Sequence, residues 1–329
     1  MAHPAQSARW TELTRVPLAV DQVRASGPVP APPDGEHVRL VTKWGQMRLH
    51  LRETPSDAPG RAVLLHGLAG SSTNWADLSR LLVPHLSSTA LDLPGFGLSE
   101  PVEGFSFSPR EHAHVVIRYL DEHTDEPVHL AGNSFGGAVA VEVAASRPDL
   151  VASLTLISPA VPDLRPDPRR LSDPRLGLTV LPLIGPRIRR RLAGMTPEER
   201  AQRLLHLCFA DPSLAPPHRL AQVAEEIRQV AALPWSGTAE ERTLVQLLRH
   251  WLAPPNQSLW SLLQRVPVRS LVIWGEADRV VSVRKAVRTA RALPRGKLLV
   301  LPRTGHVAQI ERPRIVAAAM IGMIKEDTW

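Results

Sequence analysis

The segment Gly132-Asn133-Ser134-Phe135-Gly136 constrains this chain more than any other feature. It stands between an apolar run typical of a strand, PVHLA, and an Ala-rich stretch typical of a helix. A strand that turns directly into a helix leaves no room for side chains on either side of the turn, and glycine lacks a Cβ. The pattern therefore predicts a nucleophile elbow, in which a strained turn projects the serine hydroxyl.

Short apolar runs ended by Gly, Pro or Asn surround this motif, and helix-length segments separate them. The predicted strands are RAVLLHG, LSSTALDLPG, PVHLAGN, ASLTLISP, VRSLVIWG and GKLLVLP. The predicted helices between them include Trp75–Leu86, Pro109–His123 and Ser134–Arg147. Strands that are apolar on both faces are typical of a parallel sheet covered by helices. We therefore expect an α/β fold with a doubly wound, mostly parallel sheet, preceded by an antiparallel hairpin over HVRLVTKWG and QMRLHLRET.

The pattern changes between about residues 161 and 265, where Pro-, Arg- and Leu-rich amphipathic helices replace the alternation and no strand is evident. We interpret this region as a helical lid inserted into one domain. The predicted organisation is an N-terminal extension over 1–36, the first part of the core over 37–160, the lid over 161–265 and the second part of the core over 266–329.

Composition excludes several classes of protein. The single cysteine, Cys208, cannot form an intrachain disulfide or supply a thiolate metal cluster. The N-terminal region has no apolar core of a signal peptide, and the longest apolar runs are far below the roughly 20 residues that span a bilayer. A cytoplasmic protein without integral membrane association is expected. The net charge is +7, and basic residues crowd the run Arg187–Arg191. We interpret this run as a solvated patch or an anion-steering surface. Nucleic-acid binding is not expected, because no nucleic-acid motif accompanies the run.

Four separated motifs resemble those of the α/β-hydrolase superfamily: His66–Gly70, Asp92–Ser99, the elbow, and Trp274–Asp278 paired with Thr304–His306. The resemblance extends from about residue 37 to the end of the chain. It implies a serine hydrolase that uses neither a cofactor nor a metal. Its implied triad is the nucleophile Ser134, the acid Asp278 and the general base His306. Its implied oxyanion hole consists of the backbone N–H groups of Leu68 and Phe135.

Other polar residues have competing interpretations. Asp163 is the alternative acid, because some members of the superfamily place it after the strand that follows the elbow. His66 and Asp92 are interpreted as residues that brace loops. His112 and His114 lie two positions apart on a predicted helix, so they face different directions and are not expected to bind a metal.

The lid is rich in large apolar residues, among them Trp235, Trp251 and Trp260, which we predict to bind substrate, although part of this set must form the lid's own core. A small apolar ester is the expected substrate and partner, and the protein is expected to be a monomer or a homodimer.

The serine in the elbow excludes dehalogenase and epoxide hydrolase chemistry by resemblance. Two alternatives stay open. The elbow GNSFGG and the tail GHVAQIE resemble C–C bond hydrolases of ring-fission-type diketones, although HGLAGSS departs from their pattern. A noncatalytic ligand-binding protein with the same fold is the other alternative.

Overall fold

The computed structural model describes residues 16–23, 32–162, 194–215, 217–326 and 329. Its centre is one sheet with the spatial order β1-β2-β4-β3-β5-β6-β7-β8. The first two strands pair antiparallel, β2 also runs antiparallel to β4, and all other neighbours are parallel. The strands are β1 Gly35–Thr42, β2 Gly45–Thr54, β3 Arg61–Leu65, β4 Ser87–Leu91, β5 Val128–Asn133, β6 Val151–Ile157, β7 Arg269–Gly275 and β8 Gly296–Leu301.

Helices cover both faces of this sheet. The described helices are α1 Ala76–Leu82, α2 Pro109–His123, α3 Phe135–Ser146, α4 Pro197–Cys208, α5 Pro217–Ala231, α6 Ser236–Trp251, α7 Leu259–Gln264, α8 Ala286–Ala292, α9 Ala308–Glu311 and α10 Pro313–Lys325. Apolar residues of α2, α3, α7 and α8 fill the core on one face, and those of α1, α9 and α10 fill it on the other. The predicted doubly wound α/β fold is confirmed, and the predicted strands coincide with β3 to β8.

The chain crosses the sheet in opposite directions from β3, since β4 lies on one side of it and β5 on the other. Such a reversal opens a crevice at the carboxyl ends of the two strands, where open α/β sheets bind ligands. The elbow follows β5 and the His66–Gly70 motif follows β3. The fold therefore brings these two motifs to the same edge of the sheet.

The described part of the predicted lid is helical. Helix α4 begins with a capping box, in which Thr196 and Glu199 bond each other's backbone N–H groups. Helix α7 lies within the range predicted as lid, yet it buries Leu259, Leu262 and Leu263 in the core cluster beside α3. By its contacts α7 belongs to the helical layer of the core. Asp163 and the run Arg187–Arg191 lie outside the described residues.

Residues 16–23 of the predicted N-terminal extension lie against the last helix. Ala19 donates its N–H to the carbonyl oxygen of Ala318 at 3.1 Å, and Val23 is buried in the core cluster that α10 builds. Among the described helices, none is both long enough and apolar enough to cross a membrane.

Candidate active site

Ser134 stands on a strained turn between β5 and α3. Its backbone has φ 52° and ψ −116°, outside the regions that non-glycine residues prefer. A Cβ built on Gly132 would lie 2.3 Å from the carbonyl oxygen of Gly136, and one on Gly136 would lie 2.3 Å from that of Leu65. Both glycines are therefore required by close backbone approaches. This geometry agrees with the nucleophile elbow that the sequence predicts.

Asp278 and His306 are in contact at the ends of neighbouring strands. Asp278 follows β7, His306 follows β8, and Nδ1 of His306 lies 2.9 Å from Oδ2 of Asp278. The Asp278 side chain is fully buried, and its other oxygen accepts the N–H groups of Val280 and Val281 at 2.8 and 2.9 Å. An ionised carboxylate can only accept, so Nδ1 carries the proton and Nε2 is left as an acceptor. The pair supplies a histidine in the tautomer that a general base needs.

Asn133 links the elbow to the loop after β8 that carries His306, which we call the histidine loop. Its Nδ2 donates to the main-chain oxygen of His306 at 3.1 Å and to that of Ile157 at 3.0 Å. Ser134 and His306 are both buried, with 8% and 4% of their surfaces exposed. The sequence analysis assigned no role to Asn133, so it missed this link.

The predicted oxyanion donors flank the serine. Phe135 is the first residue of α3, and the first N–H groups of a helix have no intrahelical partner. Gly67, which precedes Leu68, lies so close that an added Cβ would be 3.1 Å from Cβ of Ser134. Within the described ranges, the N–H groups of Leu68 and Phe135 donate to no protein acceptor. They are available to an oxygen bound beside Ser134.

His66 holds the loop that carries Leu68. Its Nδ1–H donates to the carbonyl oxygen of Gly67 at 2.7 Å, while its Nε2 accepts the N–H of Leu93 at 2.9 Å. Burial lowers the pKa of His66, which keeps the ring neutral and able to make both bonds. Both ring nitrogens are hydrogen-bonded to loop residues, which agrees with the interpretation of His66 as a residue that braces loops.

Asp92 organises the loop after β4. Its carboxylate accepts Nδ1–H of His50 at 2.7 Å and the N–H groups of Ser72 and Leu98 at 2.6 and 2.9 Å. Burial alone would raise the pKa of Asp92, but the hydrogen bond from His50 and the neighbouring histidines hold this pKa below its usual range. The carboxylate thus braces a turn, in agreement with the interpretation from the sequence.

The three tryptophans that the sequence predicts to bind substrate lie in different parts of the fold. Trp251 donates Nε1–H to the carbonyl oxygen of Ala160 at 3.0 Å, and Ala160 donates to the carbonyl oxygen of Ser134 at 2.9 Å. Trp235 precedes α6, and its buried Nε1–H has no partner within the described residues. Trp260 lies on α7 with its ring 3.9 Å from the guanidinium carbon of Arg288 on α8. Since α7 packs into the core layer, the structure does not place Trp260 beside the predicted triad.

The H-x-H pair of α2 splits as predicted. His112 is buried, with Nδ1 and Nε2 at 3.0 and 3.2 Å from the carbonyl oxygens of Ser108 and Pro94, whereas His114 is exposed. Within the described residues, no group of three or more His, Cys, Asp or Glu side chains is arranged to hold a metal ion.

Known proteins share this sequence pattern and fold. A 2-hydroxy-6-oxononadienedioate/2-hydroxy-6-oxononatrienedioate hydrolase from Cupriavidus pinatubonensis is 27% identical over 275 residues, covering 82% of this chain and 88% of that protein. Monoacylglycerol lipase ABHD6 from Bos taurus is 26% identical over 301 residues, covering 88% of this chain and 82% of that protein. The solved structure of a membrane phospholipase A, described as a bacterial virulence factor, has a TM-score of 0.71 at 25% identity and covers 90% of this chain and 88% of that one.

A putative lipase from Acinetobacter baumannii AYE shares the fold with a TM-score of 0.72 at 22% identity, covering 89% of this chain and 91% of that one. The family model described as the alpha/beta hydrolase family matches residues 62–319. This range includes the elbow, the loop that carries Asp278 and the histidine loop. With this match over most of its length, and with the sheet order and elbow geometry in agreement, the chain belongs to the alpha/beta hydrolase family.

Proposed function

We propose that this protein is a serine hydrolase that cleaves a small apolar carboxylic ester through an acyl-enzyme on Ser134. The observation that carries the proposal is the buried contact of 2.9 Å between Asp278 and His306, joined through Asn133 to the strained elbow of Ser134. Membership in a hydrolase family and the names of the relatives, which include a lipase, support hydrolysis as the reaction class.

In the first half-reaction, Oγ of Ser134 attacks the ester carbonyl carbon while its proton passes to Nε2 of His306. Asp278 stabilises the resulting imidazolium through Nδ1–H. The carbonyl oxygen becomes an oxyanion that accepts the N–H groups of Leu68 and Phe135. When the tetrahedral intermediate collapses, the C–O bond breaks and the departing alkoxide takes the proton from His306.

In the second half-reaction, water replaces the alcohol and attacks the acyl carbon. His306 receives the proton of that water, and the same two N–H groups stabilise the second oxyanion. Collapse releases the carboxylic acid and returns the proton to Oγ of Ser134. No redox step and no external co-reactant other than water is required.

The lid supports an apolar substrate. Its described helices contribute Ala201, Leu205 and Leu247 to buried positions, and Phe209 directly after α4 is also buried. Helix α6 begins above the loop after β4, since a Cβ on Gly95 would lie 2.7 Å from Cβ of Ala239. We expect apolar side chains of the lid to face the acyl group, because ligand pockets are lined mainly by apolar side chains.

Reaction with a fluorophosphonate, followed by peptide mapping, tests the nucleophile. We expect one label per chain, on Ser134, and no label in Ser134→Ala. Ser158→Ala is the matched control, because Ser158 has a buried hydroxyl at the end of the neighbouring strand β6, has a positive φ of 44° and should not alter labelling. Absence of label from the wild-type protein would contradict the proposal and favour a noncatalytic ligand-binding role.

The second candidate is hydrolysis of a C–C bond in a vinylogous diketone. It is favoured by the relative from Cupriavidus pinatubonensis, whose name describes a hydrolase of such compounds. A series of p-nitrophenyl esters of increasing acyl length, run beside a vinylogous diketone, separates the two candidates. Turnover of the diketone far above that of every ester would replace the ester proposal with the C–C one.

A further inference from the structure

The end of lid helix α4 is in direct backbone contact with the histidine loop. The N–H of His306 donates to the carbonyl oxygen of Cys208 at 2.6 Å. A Cβ built on Gly305 would lie 2.2 Å from the same oxygen. Only glycine admits an approach this close. The lid therefore supplies an acceptor to the main chain of the predicted general base.

Arg279, the residue after the predicted acid, holds this end of α4. Its Nη1 donates to the carbonyl oxygen of His206 at 2.8 Å, and its Nη2 donates to that of Ala210 at 3.1 Å. Carbonyl groups in the last turn of a helix have no intrahelical donor, and a cation there also interacts favourably with the helix dipole. The planar guanidinium can serve two carbonyls at once, which a lysine cannot do in the same geometry.

The carboxylate of Glu311 bonds both the loop that carries His306 and the end of α4. It accepts the N–H of Gly305 at 2.7 Å and the N–H of Ala210 at 3.2 Å. Burial raises the pKa of Glu311, and the two backbone N–H groups act in the opposite direction by favouring the ionised form. One carboxylate thus ties the residue before His306 to the second residue after the end of α4.

The main chain of His306 is consequently held on two sides. Asn133 of the elbow donates to its carbonyl oxygen, and Cys208 of the lid accepts from its N–H. Asp278 fixes only the ring, through Nδ1. We propose that the segment Cys208–Ala210 is a structural part of the triad, and that Arg279 and Glu311 are positioning residues that act on His306 through it. The inference rests on the proposed function for its catalytic consequence.

The test compares Arg279→Ala, Arg279→Lys and Glu311→Gln with the wild-type protein and with Arg147→Ala. Arg147 is the matched control, since it bonds Asp149 and Asp121 at the surface and has no contact with the histidine loop. Labelling of Ser134 by a fluorophosphonate measures the competence of the triad. We expect Arg279→Ala to label on the order of tenfold to a hundredfold more slowly, because displacement of a catalytic group by about 1 Å costs that much. Arg279→Lys should recover part of the rate.

A spectroscopic readout separates positioning from general loss of stability. The Nδ1 proton of His306, bound to a carboxylate, gives a low-field proton NMR signal that is absent in His306→Gln. The buried pair His50–Asp92 supplies an internal reference of the same chemistry. We expect Arg279→Ala and Glu311→Gln to shift or broaden the His306 signal and to leave the His50 signal unchanged. Arg147→Ala should leave both signals unchanged.

Labelling rates within twofold of wild type in both Arg279→Ala and Glu311→Gln, together with an unchanged His306 signal, would overturn the inference. Loss of both the His306 and His50 signals with a lower melting temperature would also overturn it, because the residues would then support the whole fold. If the wild-type protein takes no label, the proposed function fails, and the NMR comparison alone decides whether Arg279 positions His306.

Discussion

Gly67 lies against Ser134: a Cβ built on the glycine would be 3.1 Å from Cβ of the serine and 3.1 Å from Oδ1 of Asn133. A side chain at this position therefore requires the loop or the elbow to shift by a few tenths of an ångström. The next residue in the loop is Leu68, whose N–H is a proposed oxyanion donor. Backbone spacing at one glycine thus sets the distance between a donor and the nucleophile.

We predict that Gly67→Ala lowers kcat for a good ester by about tenfold or less, because the shift of a few tenths of an ångström moves the donor of Leu68 away from the developing charge. Gly237→Ala is the matched control. A Cβ at Gly237 meets nothing within 4 Å, and the residue lies in α6. This control should keep wild-type turnover and gain up to about 1 kcal/mol in the free energy of unfolding. Steady-state kinetics measures kcat of both variants, and chemical denaturation measures their free energies of unfolding. Unchanged turnover in Gly67→Ala would contradict the assignment of Leu68 as an oxyanion donor.

The sheet and the elbow were predictable because their signals are local. Each buried strand is a short apolar run that ends at a turn residue. The elbow requires glycine at positions 132 and 136, because the sharp turn leaves no room for a Cβ there. The strands and the elbow depend on residue type and on spacing along the chain, which the sequence shows directly. The pairing of Asp278 with His306 was implied by the resemblance to the α/β-hydrolase superfamily, and in the structure the two residues are in contact at the ends of neighbouring strands.

The contacts between the end of α4 and the loop that carries His306 were not predictable in the same way. The acceptor that Cys208 offers to His306 is a backbone carbonyl, which every residue type possesses, so the sequence contains no signal for it. Glu311 stood in the quoted tail GHVAQIE, and its spacing after His306 was the one available clue. Trp260 was assigned to the lid by composition, but Leu259, Leu262 and Leu263 on the same short helix place it in the core layer.

Acid stability depends on His112. This ring is buried among aromatic side chains, with Phe105 and Phe135 at centroid distances of 4.9 and 5.0 Å. Burial lowers the pKa of His112 from 6.5 to about 4. Below pH 6.5 the unfolded chain binds a proton that the folded chain excludes. We therefore predict that the free energy of unfolding falls as the pH falls from about 6.5 to about 4, with His112 contributing about 3 kcal/mol.

Denaturant unfolding at several pH values checks this prediction in wild type, in His112→Gln and in the exposed control His37→Gln. His112→Gln should lose stability at pH 7.5, because a differently shaped side chain fills the aromatic site. Its further loss between pH 6.5 and 4 should be smaller than that of wild type. A loss of the same size in His112→Gln would mean that other groups account for the acid sensitivity.

Two tryptophans provide a test of the lid as the determinant of substrate size. Trp235 precedes α6, whose first turn lies over the loop after β4, whereas Trp260 packs beneath Arg288 on α8. We predict that Trp235→Ala changes the ratio of kcat/KM between short and medium acyl esters, and that Trp260→Ala lowers the melting temperature without changing this ratio. A matched series of p-nitrophenyl esters measures the ratio. Equal losses for every ester in Trp235→Ala would assign this residue to the lid's own core.

The final prediction concerns the acid. Asp278→Asn retains the shape of the side chain but removes the charge that stabilises the imidazolium of His306 and fixes its tautomer. In a comparable serine triad the same substitution lowered turnover about ten-thousand-fold, and we expect a loss of that order here. The amide should still accept the N–H groups of Val280 and Val281, which now bond Oδ1, so folding is expected to persist.

Asp163→Asn is the decisive comparison, because Asp163 is the alternative acid from the sequence. With Asp278 already at 2.9 Å from Nδ1 of His306, a second carboxylate has no role to fill on that nitrogen, and Asp163→Asn should keep nearly full turnover. Turnover on one good ester, with melting temperatures to exclude unfolding, distinguishes the two. A crippled Asp163→Asn beside an active Asp278→Asn would move the acid to the loop after β6. Comparable partial losses in both would mean that either carboxylate reaches His306, and a triad with one acid would have to be abandoned.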